Sequence, residues 1–444
     1  MEKSIVAAGS YVVGKKKSAV LQAYLGTCVG VAIYDPTKDI GGLIHLILPS
    51  QTSPESTYEP LKYASSGLPI FLNALYEAGA KRENTKAVVA GGALVGPLSE
   101  WDLQLDIGGR TLEVVETILT DEGIEIETSE TGGFFTSRFS LDMSNWECDI
   151  DPCISKSPPT LHELSTPEPD KINQTIEHIQ PIPQVALKIL RMVDEDTHHF
   201  KDIANEIRND QVICARTLRL CNSTFYAKAK RIDSIDHALV FLGQDLFVRL
   251  VVSVFIKDFF EHHNHGYSLC RGGLYHHAIG TAIIAERIAR LTQKVSPTLA
   301  YTAGLLHDIG KVVLDQYIAL ASPFFYREFQ EGIDFLELEK KYLGITHTKV
   351  GSQLANNWYF PDSLIDTILH HHYPENGTRN KELTHVVYLA DLLMSRFHAG
   401  FELERLNTDS LASRLESIGF SISQFQQVLD LIPTTSFASF LSAT

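Results

Sequence analysis

Residues 19–49, AVLQAYLGTCVGVAIYDPTKDIGGLIHLILP, decide the fold of the N-terminal part. Short apolar runs alternate there with glycines and with turn residues between Asp35 and Asp39. Two similar runs follow, AVVAGGALV and TLEVVETILTDEGIEIETSETGG, and apolar residues at helical spacing extend from about Glu59 to Gly79. These patterns predict mostly strands with few helices, and therefore an α/β (α+β) domain over residues 1–152.

The pattern changes after this domain. Residues 153–175 are rich in Pro, Ser and charge without apolar periodicity, which predicts a linker. Residues 176–375 contain amphipathic segments such as IPQVALKILRMVDE and HHAIGTAIIAERIARLTQK, which predict an all-α domain. Residues 376–444 continue the helical pattern and are interpreted as an extension of that domain. We therefore expect a two-domain chain.

Composition limits the function classes. The formal net charge of −16 argues against nucleic acid as a partner, because phosphate binding needs clustered Lys and Arg. The six cysteines lack paired CxxC spacing, which favours a reducing cytoplasm over a disulfide framework. An apolar stretch of about 18 residues, as a membrane span requires, is absent from the sequence. We expect a soluble, cytoplasmic protein without direct membrane insertion.

Cys28 and His45 form the first candidate site. Cys28 stands at the entrance to one apolar strand and His45 on the next. Folding the hairpin about its turn brings His45 opposite a position within a residue or so of Cys28, but the turn parity that decides whether they share a face stays open. An imidazole can accept a thiol proton, so the pair could supply a nucleophile and its base. Alternatively, Cys28 is a small buried apolar residue.

The segments LGTCVGVAIYDP, IGGLIHLILP and VVAGGALV, within about residues 8–142, resemble the CheD family of bacterial chemoreceptor glutamine deamidases. The resemblance implies that the Cys28 thiolate attacks a receptor glutamine amide, with His45 as general base and then acid, and without a cofactor. The family has a Thr six residues before the Cys, where this chain has Gln22 as the third site residue. The implied partners are methyl-accepting chemotaxis receptors and a CheC-type phosphatase.

The helical part carries histidines and aspartates in an ordered set, including the adjacent pair in AGLLHDIGK and the pair in HHYP. Neutral imidazole with carboxylate is the ligand set of hydrolytic metal sites in helical bundles. Alternatively, these side chains form a hydrogen-bonded cluster in the core without a metal.

Together with PIPQVALKIL and SIDHALVFLG, these motifs resemble the HDOD family, a divergent branch of the HD phosphohydrolase superfamily, over about residues 179–374. The catalytic HD-GYP relatives carry an RxDGxGYP loop that is missing from this sequence, so cyclic dinucleotide hydrolysis is not inferred. The resemblance implies a divalent metal site whose ligands would be His277, His307, Asp308, His347, His371, His372 and Asp391.

Three functions are consistent with this sequence. The first is a glutamine deamidase coupled to a helical signalling module. The second is a metal-dependent phosphohydrolase whose N-terminal domain serves for docking. The third is a signalling adaptor without catalysis.

Overall fold

A computed structural model describes residues 2–51, 59–94, 106–133, 136–153, 169–179, 183–195, 200–222, 232, 234–260, 266–268, 272–330, 333–398, 406, 408 and 410–432. Packing divides the chain into two compact units. The strand-rich unit comprises residues 1–157, 395–410 and 425–435. The helical unit comprises residues 158–394, 411–424 and 436–444.

The strand-rich unit is built on two sheets. Its strands are β1 (Glu2–Ile5), β2 (Ser10–Lys15), β3 (Ala19–Leu25), β4 (Val29–Asp35), β5 (Ile40–Leu46), β6 (Lys86–Gly91), β7 (Glu125–Thr131), β8 (Ser137–Asp142) and β9 (Cys148–Pro152). One sheet has the order β2-β5-β4-β6-β7 and the other the order β1-β3-β8-β9. Helices α1 (Ala64–Glu77) and α2 (Ile107–Asp121) accompany them, with 3-10 turns at Pro60–Lys62 and Arg82–Asn84.

Side-chain alternation along β4 separates two apolar cores. Val31 and Ile33 pack among the side chains of α1 and α2, on one face of the five-stranded sheet. Ala32 and Tyr34 point to the other face and pack with Phe139 of the four-stranded sheet. Both faces of β4 are therefore buried, as its continuous apolar sequence predicts.

The turn between β4 and β5 is held by the side chain of Asp35. Its Oδ1 accepts hydrogen bonds from the backbone N–H groups of Thr37 at 2.8 Å and Lys38 at 3.2 Å. Asp39 closes the turn with a φ of 53°. Asp35 then pairs with Ile40, which fixes the register of the whole hairpin.

The run TLEVVETILTDEGIEIETSETGG is not a strand throughout. Its first part belongs to α2, and only its second part forms β7. The buried residues Thr111, Val115 and Leu119 recur every four positions, which is a helical period. Asp106 begins the helix by accepting a hydrogen bond from the N–H of Gly109.

Helices dominate the described residues after position 168, which confirms the predicted fold class. Residues 154–168 of the predicted linker lie outside the described residues, and positions 169–175 are helical. Within the described residues, every helix is too short or too polar to cross a bilayer. The helices are α3 (Pro169–His178), α4 (Gln184–Asp194), α5 (Phe200–Asn209), α6 (Gln211–Cys221), α7 (Ile235–Leu242), α8 (Gln244–Phe260), α9 (Gly273–Thr292), α10 (Pro297–Leu306), α11 (Ile309–Gln330), α12 (Phe335–Leu343), α13 (His347–Asn357), α14 (Asp362–His370), α15 (Lys381–Phe397), α16 (Leu411–Ser417) and α17 (Phe425–Leu429), with 3-10 turns at Pro374–Asn376 and Ile422–Gln424.

The C-terminal residues 376–444 are divided between the two units. Residues 395–410 and 425–435 group with the strand-rich unit, whereas the sequence pattern assigned the whole stretch to the helical domain. Buried polar contacts account for the difference. Lys62 Nζ donates to the Asp430 carbonyl at 2.6 Å, and Tyr63 Oη donates to the Asp430 carboxylate at 2.8 Å. Helical periodicity predicts a helix but does not say what the helix packs against.

Candidate functional site

The backbone around Cys28 is fixed by a glycine turn that follows β6. Gly92 N–H donates to the Cys28 carbonyl at 2.8 Å, and Ala93 N–H donates to the Gly26 carbonyl at 2.9 Å. Gly91 has a φ of +102°, and a Cβ built there would lie 2.2 Å from the Cys28 carbonyl oxygen. Position 91 therefore requires a glycine. These bonds extend the β4–β6 ladder as far as Cys28.

The register of the β4–β5 hairpin is set residue by residue. His45 lies directly opposite Gly30, and Val29 lies opposite Leu46. Opposed residues of antiparallel strands point to the same face, and so do residues two apart on one strand. Cys28 lies one residue before β4, and continuing the strand alternation by that residue assigns position 28 to the face of Gly30 and His45. The space above Gly30 is filled by Leu25 and Phe139, whose Cδ1 atoms each lie 2.9 Å from the place of a Gly30 Cβ.

The environment of His45 leaves one ring nitrogen available as a base. Its Nδ1 lies 3.1 Å from the carbonyl oxygen of Val6, which can only accept, so Nδ1 carries the proton. Its Nε2 is buried and makes no hydrogen bond with any described residue. Burial lowers the pKa of His45 to about 4, against a smaller opposing effect of the Val6 carbonyl. The imidazole is therefore neutral, with a free lone pair on Nε2.

The sulfur of Cys28 has no solvent exposure, with a relative accessibility of 0%. Its thiol donates a hydrogen bond to the carbonyl oxygen of Phe397, with Sγ and oxygen 2.9 Å apart. Both residues belong to the strand-rich unit. Sequence reasoning missed Phe397, since a backbone carbonyl 369 positions away carries no signal in the sequence.

Gln22 lies on β3 and makes a different contact. Its Nε2 donates to Ser140 Oγ at 3.1 Å. Its backbone carbonyl accepts from the N–H of Val6, the residue whose own carbonyl holds His45. Gln22 is therefore connected to His45 through the backbone of Val6, whereas its side chain is directed to Ser140.

The seven His and Asp residues predicted in the helical part lie together in one buried cluster. Three sets within it have ligand atoms within 4.8 Å of one another. The first set is His347, His371 and His372, the second is His277, His307 and Asp308, and the third is His307, His371 and Asp391. Since the sets share His307 and His371, they form one centre, which offers more than one place for a metal ion.

Asp308 lies at the middle of this cluster. Its carboxylate is 3.1 Å from His307 Nε2, and 3.4 Å from the Nε2 atoms of both His347 and His371. The second carboxylate, Asp391, is 3.0 Å from His277 Nε2. The imidazoles thus direct their Nε2 atoms inward towards two carboxylates.

Hydrogen bonds on the outer side of the rings set this orientation. His307 Nδ1 lies 2.7 Å from the Gly304 carbonyl, and His371 Nδ1 lies 2.9 Å from the Ile368 carbonyl. His347 Nδ1 lies 2.9 Å from the carboxylate of Glu339. When Nδ1 carries the proton, the lone pair of Nε2 faces the centre. Metal-binding histidines in proteins are held in this way.

Charges inside the cluster are strongly coupled. Burial works to raise the pKa of Asp308, but His307 and Lys311 outweigh it and hold that pKa well below its usual range. Lys311 Nζ is 2.7 Å from the Asp308 carboxylate. Burial lowers the pKa of His371 to about 4. The centre therefore combines an anionic Asp308 carboxylate with a neutral imidazole at His371.

These residues fit a divalent metal. His307 Nε2, Asp308 Oδ1 and Asp391 Oδ2 are buried and make no hydrogen bond among the described residues. Buried polar atoms normally have partners, and bound cations would supply them. His370, the first histidine of the run, instead lies near Asp366 at 3.8 Å and is partly exposed.

Sequence reasoning missed two residues of this centre. Lys311 follows Asp308 by three positions in the quoted AGLLHDIGK motif, so a signal was present. Glu339 lies in the run FLELEKKYL, where nothing distinguishes it from the other acidic residues. Only the fold shows that its carboxylate accepts from both the N–H and the ring of His347.

Comparison with known proteins matches the two parts of the chain to two families. Residues 47–151 match the family model of CheD chemotactic sensory transduction, and residues 179–374 match the HDOD domain. A protein of Clostridium tetani (strain Massachusetts / E88), named as a probable chemoreceptor glutamine deamidase CheD, is 35% identical over 133 residues, which are 30% of this chain and 81% of that protein. A Clostridium novyi (strain NT) protein of the same name is 38% identical over 109 residues, which are 24% and 67% of the two chains.

One solved structure with a similar fold is described as a candidate signal transduction protein from Marinobacter aquaeolei VT8. It has a TM-score of 0.51 and 19% identity, and it covers 82% of this chain and 90% of its own. At this identity the likeness concerns the fold alone. The CheD model match begins after His45, so the roles of Cys28 and His45 are argued from the geometry of their strands.

Proposed function

Because the chain belongs to the CheD family, we propose that it is a chemoreceptor glutamine deamidase in which Cys28 is the nucleophile and His45 the general base. The observation that supports the proposal is the hairpin register, in which His45 lies directly opposite Gly30, two residues from Cys28. The Nε2 of His45 makes no hydrogen bond with any described residue, so its lone pair can accept a thiol proton.

The proposed reaction has two halves. In the first, His45 Nε2 takes the Cys28 proton, and the thiolate attacks the side-chain carbonyl carbon of a receptor glutamine. Ammonia leaves after receiving that proton, and a thioester remains. In the second, His45 activates water, which hydrolyses the thioester to glutamate and regenerates the thiol. The balance is glutamine and water giving glutamate and ammonia, and the reaction requires no metal or cofactor.

Gln22 has a positioning role in this proposal. Its backbone accepts from Val6, and Val6 in turn holds Nδ1 of His45. The proposed partners are methyl-accepting chemotaxis receptors as substrates, with a CheC-type phosphatase as a second partner. The free cysteines among the described residues, including Cys28 and Cys148, fit action in a reducing cytoplasm.

The test is incubation of the full chain with the cytoplasmic domain of a chemotaxis receptor. Mass spectrometry should detect a gain of roughly one dalton for each glutamine converted through the cysteine mechanism. Cys28→Ala should abolish the gain, whereas the matched control Cys148→Ala, at a cysteine on β9, should keep it. Conversion by Cys28→Ala at the wild-type rate would remove the proposed nucleophile.

A second function is favoured by the convergence of five imidazoles on two carboxylates in the helical unit. We propose that this centre binds divalent metal through His277, His307, Asp308, His347, His371, His372 and Asp391. A bound metal would supply Lewis acidity and an activated water for phosphoester hydrolysis. Elemental analysis of the purified protein tests the binding, and a phosphodiesterase assay with added Mn²⁺ tests the turnover. Protein without metal would leave the centre a polar core cluster.

A further inference from the structure

Two stretches near the C-terminus pack within the strand-rich unit. The first is residues 395–398, which end helix α15, and the second is residues 425–432, which include α17. We call them together the cover segment. Phe397, His398 and Ile432 of this segment are all buried. It is thus a packed part of the unit that contains Cys28.

The cover segment occupies the space that a substrate needs. The Phe397 carbonyl oxygen lies 2.9 Å from Cys28 Sγ, which is itself fully buried. An attacking atom must come within about 3–3.5 Å of the carbon it attacks. A glutamine side chain cannot reach that distance while Phe397 remains in place, so the described conformation is closed to substrate.

The same contact also disfavours the reactive form of the cysteine. Phe397 is the last residue of α15, and the final carbonyls of a helix lack intrahelical donors and carry the negative end of its dipole. The thiol satisfies one of these carbonyls by donating its proton. A thiolate at the same place would face a carbonyl oxygen and a negative helix end. The closed conformation therefore keeps Cys28 protonated.

The cover segment has a second anchor, which is separate from its contact with Cys28. Lys62, which is fully buried, donates to the carbonyl of Asp430. Tyr63 donates to the carboxylate of the same residue. The positions of Lys62 and Tyr63 lie on the chain before α1, far in sequence from Asp430. Each of the two stretches of the cover segment is thus held to the strand-rich unit by its own hydrogen bonds.

We propose that the cover segment is an autoinhibitory element, which blocks the Cys28 site until residues 395–398 withdraw. This inference rests on the proposed deamidase function, because it assigns regulation to the same site. It requires a closed state that reacts slowly at Cys28 and an open state that admits a glutamine side chain. The balance between them is set by the contacts of Phe397 and Asp430.

The experiment measures the alkylation rate of Cys28 by iodoacetamide in the full chain, followed by peptide mapping. Cys28 in the folded wild type should react at least about 100-fold more slowly than in the urea-unfolded chain. Asp430→Ala and Tyr63→Phe each remove one end of the same hydrogen bond and should raise the rate about fivefold. Phe397→Ala should raise it about 100-fold by removing a buried ring. Glu416→Ala, at an exposed residue of α16, is the control and should not change it.

Deamidation of a receptor cytoplasmic domain is measured on the same proteins and should rise in the same order. Two results would overturn the proposed autoinhibition. One is alkylation of wild-type Cys28 as fast as in the unfolded chain, and the other is an unchanged alkylation rate in both Phe397→Ala and Asp430→Ala. If the variants alkylate faster but leave every receptor glutamine intact, the cover stands and the proposed deamidase function fails. The alkylation rate therefore separates the two failures.

Discussion

His45 and His307 are both buried histidines, yet their surroundings shift their pKa values in opposite directions. Burial lowers the pKa of His45 to about 4. Burial also acts to lower the pKa of His307, but the carboxylates of Asp308 and Asp391 outweigh it and raise that pKa. The neighbours of an imidazole, more than its burial, thus decide whether it is a neutral base or a partner of anions.

The two sites also differ in how they are assembled. The proposed pair Cys28 and His45 depends on a single hairpin, in which His45 lies opposite Gly30, and the proposed chemistry needs only one nucleophile and one base. The helical centre draws side chains from several helices around Asp308 and Asp391. A small change should therefore disable the first site completely, whereas the second should lose function in steps as ligands are removed.

The largest expected effect is at His45. His45→Asn should lower the rate of receptor deamidation by roughly 1000-fold at neutral pH, since an amide cannot accept the thiol proton. Raising the pH should recover part of the rate, because thiolate then forms without a base. Initial rates by mass spectrometry measure both effects. Asp308→Asn, in the helical centre, serves as the control and should leave the deamidation rate unchanged. Equal losses of rate in both variants would show that the two sites do not act separately.

The next largest effect separates neighbouring histidines of the helical centre. His371→Ala should weaken Mn²⁺ binding by at least about 100-fold, since the ring is within coordination distance of the other ligands. His370→Ala changes the adjacent, partly exposed histidine and should leave the affinity within about twofold. Isothermal titration with Mn²⁺ compares them. Equal affinity in the two variants would exclude His371 as a ligand.

A smaller effect concerns the glycine turn that holds Cys28. Gly91→Ala should destabilise the strand-rich unit by about 2–3 kcal/mol, because its positive φ and the close Cys28 carbonyl both oppose a side chain. Gly123 also has a positive φ, +65°, but nothing lies within 4 Å of its added Cβ. Gly123→Ala should therefore cost only about 1 kcal/mol. The free energies of unfolding of both variants are measured in denaturant, with hydrogen exchange of the β4 amides as the signal. Equal losses of stability would show that the close Cys28 carbonyl adds nothing to the cost at position 91.

The smallest effect is a pH dependence of stability in the strand-rich unit. The ordinary pKa of His, about 6.5, applies to His45 in the unfolded chain, and its folded value is about 4. Between these values the unfolded chain binds more protons, so stability present above pH 6.5 is lost as the pH falls towards 4. From pH 7 to pH 5 the loss attributable to His45 should be about 2 kcal/mol. Hydrogen exchange of β5 amides in wild type and His45→Asn measures it, and parallel pH profiles would exclude His45 as the cause.

The sequence predicted the local features of the molecule better than the distant ones. The hairpin and the spacing of Cys28 and His45 could be read from apolar runs and turn residues. The register that sets His45 opposite Gly30 could not, because it depends on how Asp35 and Asp39 shape the turn. The helical period in Thr111 to Leu119 was present in the sequence but was hidden by its β-branched residues.

Contacts between distant stretches left no trace in the sequence. Glu339 was one acidic residue among several until the fold placed it beside His347. Phe397 contributes its backbone to the site, and a backbone group is the same in every residue. Helical periodicity in the C-terminal stretch likewise did not show that residues 395–398 belong to the strand-rich unit. Long-range packing decided each of these features.

The buried thiol of Cys28 has a consequence for oxidation. A cysteine oxidises to sulfenic and then to irreversible acids only where peroxide can reach its thiolate. Cys28 is shielded from solvent and is held as a donor to a carbonyl. In the closed conformation that we propose, the Cys28 thiol is therefore protected from oxidation by peroxide. Each opening of the site would expose the cysteine to peroxide as well as to substrate.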